Sequence, residues 1–174
     1  MTDKINGFEG KYHFLSNFYV PALLVFKGEV YPSSEHAFQA AKTLSRSARK
    51  KIRECSHPRQ AKILGRRVPL RPNWEHKKKQ FMFDIVWTKF SCNPHLLDKL
   101  LKTEGSELIE DNWWGDTYWG VCNGVGENWL GRILMKVRDE IIQVYEGGKL
   151  KMRPVNFPLG GIRGPYEATA PKDA

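Results

Sequence analysis

YPSSEHAFQAAK, residues 31–42, decides how the rest of the chain is read. Pro32 stops the segment before it, and Ser33 is a good N-cap for a helix that starts at Ser34. Ala37, Ala40, Ala41 and Leu44 recur at helical spacing and predict a helix over 34–44 with one apolar face. Glu35, Gln39 and Lys42 line the opposite side. A carboxylate, an amide and an ammonium in a row are either a solvated stripe or one wall of a site. At N2 of its helix, Glu35 meets the helix dipole and free backbone N–H groups, which favour the ionised form. Such a carboxylate suits holding a cation, activating water or stabilising developing positive charge.

Upstream, residues 1–10 read as a loose lead-in. Lys11–Tyr31 reads as β-like: YHFLSNFYV is rich in aromatic residues, ALLVF follows Pro21, and Lys27-Gly28-Glu29 makes a turn. Downstream, Ser45 or Ser47 caps the basic helix SARKKIREC. Pro58 opens PRQAKIL, which Gly65 ends. Asn73 caps a long helix from Trp74 to about Phe90, and Pro94 opens HLLDKLLK. Leu108 and Ile109 suggest a short strand. Asp111–Asn128 is a Gly-, Asn- and Trp-rich loop, a type of segment that commonly carries function. Asn128 caps the last helix, WLGRILMKVRDEIIQVY, with a strong apolar stripe. These elements predict a mainly α (α+β) fold: a compact single domain over residues 1–146, several helices and a few short strands near the N-terminus. Residues 147–174 read as a Pro- and Gly-rich tail.

The chain of 174 residues has 41% hydrophobic residues, six Trp, nine Phe and six Tyr, enough rings to fill a core and line a pocket. No stretch approaches a membrane span, and the N-terminus lacks a signal-peptide run. Cys55, Cys92 and Cys122 are odd in number and far apart, which points to a reducing compartment, a cytoplasm. The net charge of +9 is concentrated: Lys42–Lys79 holds fourteen Lys or Arg against Glu54 and Glu75. Such a segment is either a set of solvated helix faces or the footprint of an anionic partner.

Nucleotide-binding glycine motifs, nucleophile elbows and metal spacings are absent. The five histidines are scattered, so no metal site is expected. Asp116 and Glu127 lie in the Gly/Trp loop, and either could be a second carboxylate. Trp113, Trp114, Trp119 and Trp129 cluster there too, and aromatic faces stack on bases and sugars as readily as they fill cores. Asn17 in FLSNF is a candidate ligand for a hydroxyl or a turn cap.

In combination, FLSNF, YPSSEHAFQAAK, GR followed by LRPNW, the D-x-x-WG of Asp116–Gly120 and the N-x-LG-x-x-LM-x-x-R of Asn128–Arg138 resemble the NADAR family. The resemblance runs from about Phe14 to Arg138. It implies a compact, mostly helical fold and a cofactor-free N-glycosidase. Two substrate classes are associated with the family: ribosylamino-pyrimidine intermediates of riboflavin synthesis, and ADP-ribose attached to guanine. Both join the anomeric carbon of a phosphorylated ribose to an exocyclic nitrogen. The resemblance places the catalytic carboxylate at Glu35, with Asp116 as its partner or a ribose-hydroxyl ligand. It makes Asn17, Phe18, Ser34, Gln39, Lys42, Trp74, Trp119, Gly120 and Asn128 candidate substrate contacts. The chain continues WG as VCNGVGEN, without the Asp that directly follows WG in a bacterial member of the family.

Breaking a C1–N bond develops oxocarbenium character on the ribose, so a fixed anion and a base for water are what the chemistry needs. The expected partner is a phosphorylated ribosyl substrate. The basic segment favours ADP-ribosylated nucleic acid, because a polymer of phosphates rewards a broad basic face. The alternatives are the riboflavin intermediates and, in a different class, a non-catalytic reader of ADP-ribose or nucleic acid.

Overall fold

The computed structural model describes residues 3–146, and the expected tail over 147–174 lies outside them. Six α-helices and six short strands follow one another in this range. The strands are β1 (Lys4–Asn6), β2 (Leu24–Phe26), β3 (Glu29–Tyr31), β4 (Glu107–Ile109), β5 (Asp111–Asn112) and β6 (Val121–Cys122). The helices are α1 (Ser34–Ala41), α2 (Arg46–Arg53), α3 (Pro58–Gly65), α4 (Trp74–Ser91), α5 (Pro94–Leu101) and α6 (Trp129–Glu146). The fold is α+β, with helices dominant.

The strands form three separate pairs: β1 with β4 in parallel, β2 with β3 antiparallel, and β5 with β6 in parallel. The β2–β3 hairpin turns at Lys27 and Gly28, whose φ values of 51° and 78° suit the tight turn expected there. The stretch expected as a loop over Asp111–Asn128 carries β5 and β6, so the short strands are not confined to the N-terminal part, and two N-terminal segments also differ from the sequence reading. Residues 4–6 are not loose; they pair with β4, which opposes Ile5 to Leu108. YHFLSNFYV is not a strand. Gly10–Leu15 coils into a 3₁₀ helix that buries Phe14 and Leu15, and FLSNF then packs against α1 instead of a sheet.

Helix α1 is the centre of the molecule: every residue from Ser34 to Ala41 is buried. Its alanines let α2, α3 and α4 approach closely. The helix stops at Ala41, with Lys42 as its C-cap. Leu44, expected on the apolar face, is 62% exposed as a result. Helix α4 supplies Trp74, Phe81, Met82, Ile85, Val86 and Phe90 to the core. Asn73 precedes α4 in a left-handed conformation (φ 59°) and its side chain makes no cap bond, so the expected cap is one of position only. A chain of ring contacts runs Phe26–Phe81–Trp74–Phe38–Trp119–Tyr118, with centroids 5.0–6.0 Å apart. It ties the hairpin, α4 and α1 to the Trp-rich loop. At the far end, buried Arg138 on α6 donates to the carbonyls of Thr103 and Ser106 and fixes the turn into β4. Among the described residues no helix is long and apolar enough to cross a membrane.

Candidate active site

The N-terminus of α1 is built by two earlier pieces of chain. Ser33 Oγ accepts the His36 backbone N–H, as an N-cap should, and lies 2.7 Å from His36 Nδ1. The Asn17 carbonyl accepts the Glu35 N–H at 3.0 Å, so FLSNF docks on the first helical turn. Asn17 Nδ2 lies 3.4 Å from Met82 Sδ. Asn17 Oδ1 and Ser34 Oγ are buried and have no hydrogen-bond partner among the described residues.

The polar stripe of α1 is not a solvated surface. Glu35 is 5% exposed and Gln39 3%. Gln39 Nε2 donates to Glu35 Oε1 at 2.8 Å, while Gln39 Oε1 is buried without a partner among the described residues. Helix α3 covers this side, and a β-carbon at Gly65 would collide with the Gln39 side chain. Lys62, one turn earlier on α3, brings its ammonium over the Phe18 ring, 5.5 Å from the centroid. Burial pushes the Glu35 carboxyl up, while Lys62, the Gln39 hydrogen bond and Lys42 pull it back. The balance is upward, so burial works against the ionised form of Glu35 that its helix position leads one to expect. Half-buried Lys42 is pushed down by burial and held up by Glu35.

The Trp-rich loop brings in the other acids. Asn112 is the hub: its Nδ2 donates to the carbonyls of Asp116 and Val121, and its Oδ1 accepts the Asp116 N–H. Asp116 Oδ1 then accepts the N–H groups of Tyr118 and Trp119, at 3.2 and 2.8 Å. Asp116 thus caps a turn, and its charge also reaches Glu35 and Glu110.

Glu110 has no counterpart among the residues expected from sequence. It follows β4 directly. Its N–H donates to Asn128 Oδ1 at 3.0 Å, and its carbonyl accepts the Val121 N–H at 2.8 Å. Its Oε2 is buried and unpartnered among the described residues. Burial and then Asp116 push this carboxyl up to about 7, against Lys62 and Lys89. Lys89 is itself buried and donates to the Ser16 carbonyl at 2.8 Å; burial drives it down to about 7.

The expected residues sort themselves by surroundings. Glu35, Lys62, Asp116 and Glu110 lie within reach of one another's charge, Lys42 acts on Glu35, Gln39 bonds to Glu35, Phe18 lies beside Lys62, and Asn17 and Ser34 stand at the first turn of α1. Trp74 and Trp119 both pack on Phe38, inside the aromatic core. Gly120 lies against Glu110, where a β-carbon would collide with the Glu110 carbonyl. Asn128 spends both ends of its amide on β4 and the residue after it, accepting from Glu110 and donating to the Leu108 carbonyl at 2.8 Å. Lys62 and Glu110 were missed. The available signals were an acid directly after a predicted strand and, on the predicted third helix, a lysine three residues before its closing glycine.

Comparisons with known proteins identify the family of the chain. A NADAR domain model matches residues 6–142. N-glycosidase YbiA of Shigella boydii is 41% identical over 117 residues, spanning 66% of this chain and 72% of that protein. Riboflavin biosynthesis protein VVA0006 of Vibrio vulnificus is 38% identical over 163 residues, spanning 86% of this chain and 43% of that protein. The NMR structure of Escherichia coli YbiA superimposes with a TM-score of 0.76 at 35% identity, covering 83% of this chain and 88% of that one. Family model, sequence relatives and shared fold lead to the same place: this chain belongs to the NADAR family.

Proposed function

We propose that this chain, a hydrolase acting on N-glycosyl bonds, removes ADP-ribose from guanine in nucleic acid. The observation that carries the reading is buried Glu35 within reach of the Asp116 charge, on a helix where three buried polar atoms on or beside it, Asn17 Oδ1, Ser34 Oγ and Gln39 Oε1, lack partners among the described residues. Buried polar groups are ordinarily hydrogen-bonded, and orphans on and beside the helix that carries Glu35 suit a polar ligand such as a ribose. Glu35 is the fixed anion beside the anomeric carbon. Asp116 is the second acid, and it positions water or a ribose hydroxyl. Lys42 and Lys62 supply positive charge for phosphate, and the Phe18 ring offers an apolar wall.

Two features favour a polymer over a small metabolite. The segment from Lys42 to Lys79 is strongly basic. Trp113 and Trp114 stand 84% and 50% exposed on the loop that carries Asp116, as a stacking platform would. The unpaired cysteines suit a cytoplasmic setting.

A second reading keeps the chemistry and changes the substrate to a ribosylamino-pyrimidine phosphate of riboflavin synthesis. It is favoured by relatives named as riboflavin biosynthesis proteins in Vibrio vulnificus and Zea mays. A product assay decides between the two. The purified protein is offered ADP-ribosylated DNA, RNA and guanosine beside the riboflavin intermediates, with Glu35→Gln as control. Release of ADP-ribose from the nucleic acids, abolished in Glu35→Gln, is the expected result. Release from the pyrimidine intermediates alone selects the second reading.

A further inference from the structure

We propose that Glu110 is the proton donor to the departing nitrogen. The inference rests on the N-glycosidase reading and adds a third acid to it. Glu35, Glu110 and Asp116 sense one another's charge across the site, but their carboxyls are supplied differently. Glu35 Oε1 takes an N–H from Gln39 and faces Lys62 and Lys42. Asp116 Oδ1 takes two backbone N–H groups. The Gln39 donor and the two lysines oppose the upward push of burial on Glu35. Glu110 Oε2 receives no donor among the described residues, although it is buried. A buried carboxyl oxygen without a donor is the one whose neutral, protonated form is favoured.

The electrostatic surroundings agree. Burial, Asp116 and Glu35 push the Glu110 carboxyl up, Lys62 and Lys89 pull it down, and the balance lies at about 7. The position is also held firmly. Asn128 and Val121 lock the Glu110 backbone from both sides, and Gly120 allows the close approach. Only the tip of the side chain is left without a partner among the described residues.

In the reaction the C1–N bond breaks and its electron pair leaves with nitrogen, which takes the Glu110 proton. Water forms the new C1–O bond. Its proton passes to the Asp116 or Glu35 carboxylate and from there restores Glu110. One water is consumed, and the products are the ribose hemiacetal and the free amine.

The test is Glu110→Gln, assayed on whichever ribosylamine the wild type turns over. The variant is expected to lose roughly 100-fold or more in kcat. It should also lose the fall in kcat above neutral pH, and regain most of its rate on a substrate with a less basic leaving amine. A folded variant that keeps the wild-type kcat and pH profile overturns the proposal. If the variant does not fold, a carboxyl-carbon NMR titration of Glu110 in the wild type decides: an inflection near 7 supports the proposal, and one at the ordinary 4.5 overturns it. A wild type that turns over no ribosylamine overturns the N-glycosidase reading instead, while the titration still reports on the Glu110 proton.

Discussion

The carbonyl of Asn17 accepts the backbone N–H of Glu35 over 3.0 Å. This bond docks FLSNF on the first turn of α1 and so places an aromatic loop beside the candidate catalytic carboxylate. It also gives Asn17 two separable jobs. The backbone builds the site, and the side chain ends in a buried oxygen with no partner among the described residues.

Asn17→Ala separates those jobs. The backbone bond survives the substitution, and inside the protein the side chain gives up only a weak interaction with Met82 Sδ. The melting temperature is expected to stay within a few degrees, while kcat/KM falls roughly tenfold, the worth of one hydrogen bond. Thermal melts and steady-state kinetics on the same preparation check this. A large drop in melting temperature would make the side chain structural.

Stability should depend on pH through Glu110. Its folded carboxyl lies at about 7 against an ordinary 4.5, so the folded state binds more protons between those values. Stability therefore falls as pH rises through that window, by about 3 kcal/mol in all. Glu110→Gln should match the wild type near pH 4.5 and exceed it at pH 8. Lys89 has the opposite sign. Its folded ammonium lies at about 7 against 10.5, so stability recovers as pH rises through that higher window. Denaturant titrations across the range should show a minimum near neutrality, with the upper limb lost in Lys89→Met.

Gly65→Ala should disturb catalysis from a distance. The added β-carbon would meet Gln39, whose amide N–H opposes the upward push of burial on the Glu35 carboxyl. Overpacking of this kind costs about 1–3 kcal/mol. With the donor displaced, the Glu35 carboxyl rises further, and the acidic limb of kcat/KM moves to higher pH. Gln39→Ala should move that limb the same way without the overpacking cost. Profiles that do not move would separate Gln39 from the ionisation of Glu35.

Much of this architecture is legible in the sequence because it rests on local chemistry. Ser33, Ser45 and Pro58 announce the starts of α1, α2 and α3, and Pro94 that of α5. The misreadings share a cause, since each depends on chain brought in from elsewhere. Aromatic YHFLSNFYV carries β propensity, yet docking of FLSNF on α1 takes it out of any sheet. Periodicity splits α1 into an apolar and a polar face, and cannot see that neighbours enclose both. Glu110 looks like the end of a weak strand until Gly120 and Asn128 lock it beside Asp116. Lys62 is hidden among the fourteen cations of its segment. Arg49 and Arg53 count among the cations open to a partner, yet they lie 3.6 and 3.3 Å from the Glu29 carboxylate.

That last detail makes the salt dependence of a nucleic-acid substrate specific. Lys51 is exposed, whereas Arg49 is already partly neutralised. Removing one phosphate-binding cation should flatten the slope of log affinity against log salt by roughly 0.7 on a single-stranded substrate. Lys51→Glu is therefore expected to flatten it more than Arg49→Glu. Slopes unchanged by both substitutions would take α2 out of the binding face.

Trp113 and Trp114 offer the sharpest separation of polymer from small substrate. Their rings meet edge to face at 5.8 Å, and the chain on either side is pinned by Asn112 and Asp116. Further along the same stretch of chain, Lys78 lies over Tyr118 and Lys79 over Trp129, so aromatic faces and cations alternate there. This pairing suits a strand of nucleic acid, which brings flat bases and phosphates together. Stacking on an aromatic side chain is worth about 1–3 kcal/mol per base, or roughly 5- to 150-fold. The double variant Trp113→Ala, Trp114→Ala should lose that factor in kcat/KM on ADP-ribosylated single-stranded DNA. It should leave ADP-ribosylated guanosine untouched, because a lone nucleoside has no flanking base to stack. Equal losses on both substrates would mean that the tryptophans support the Asp116 loop, and no loss on either would mean that they hold no base.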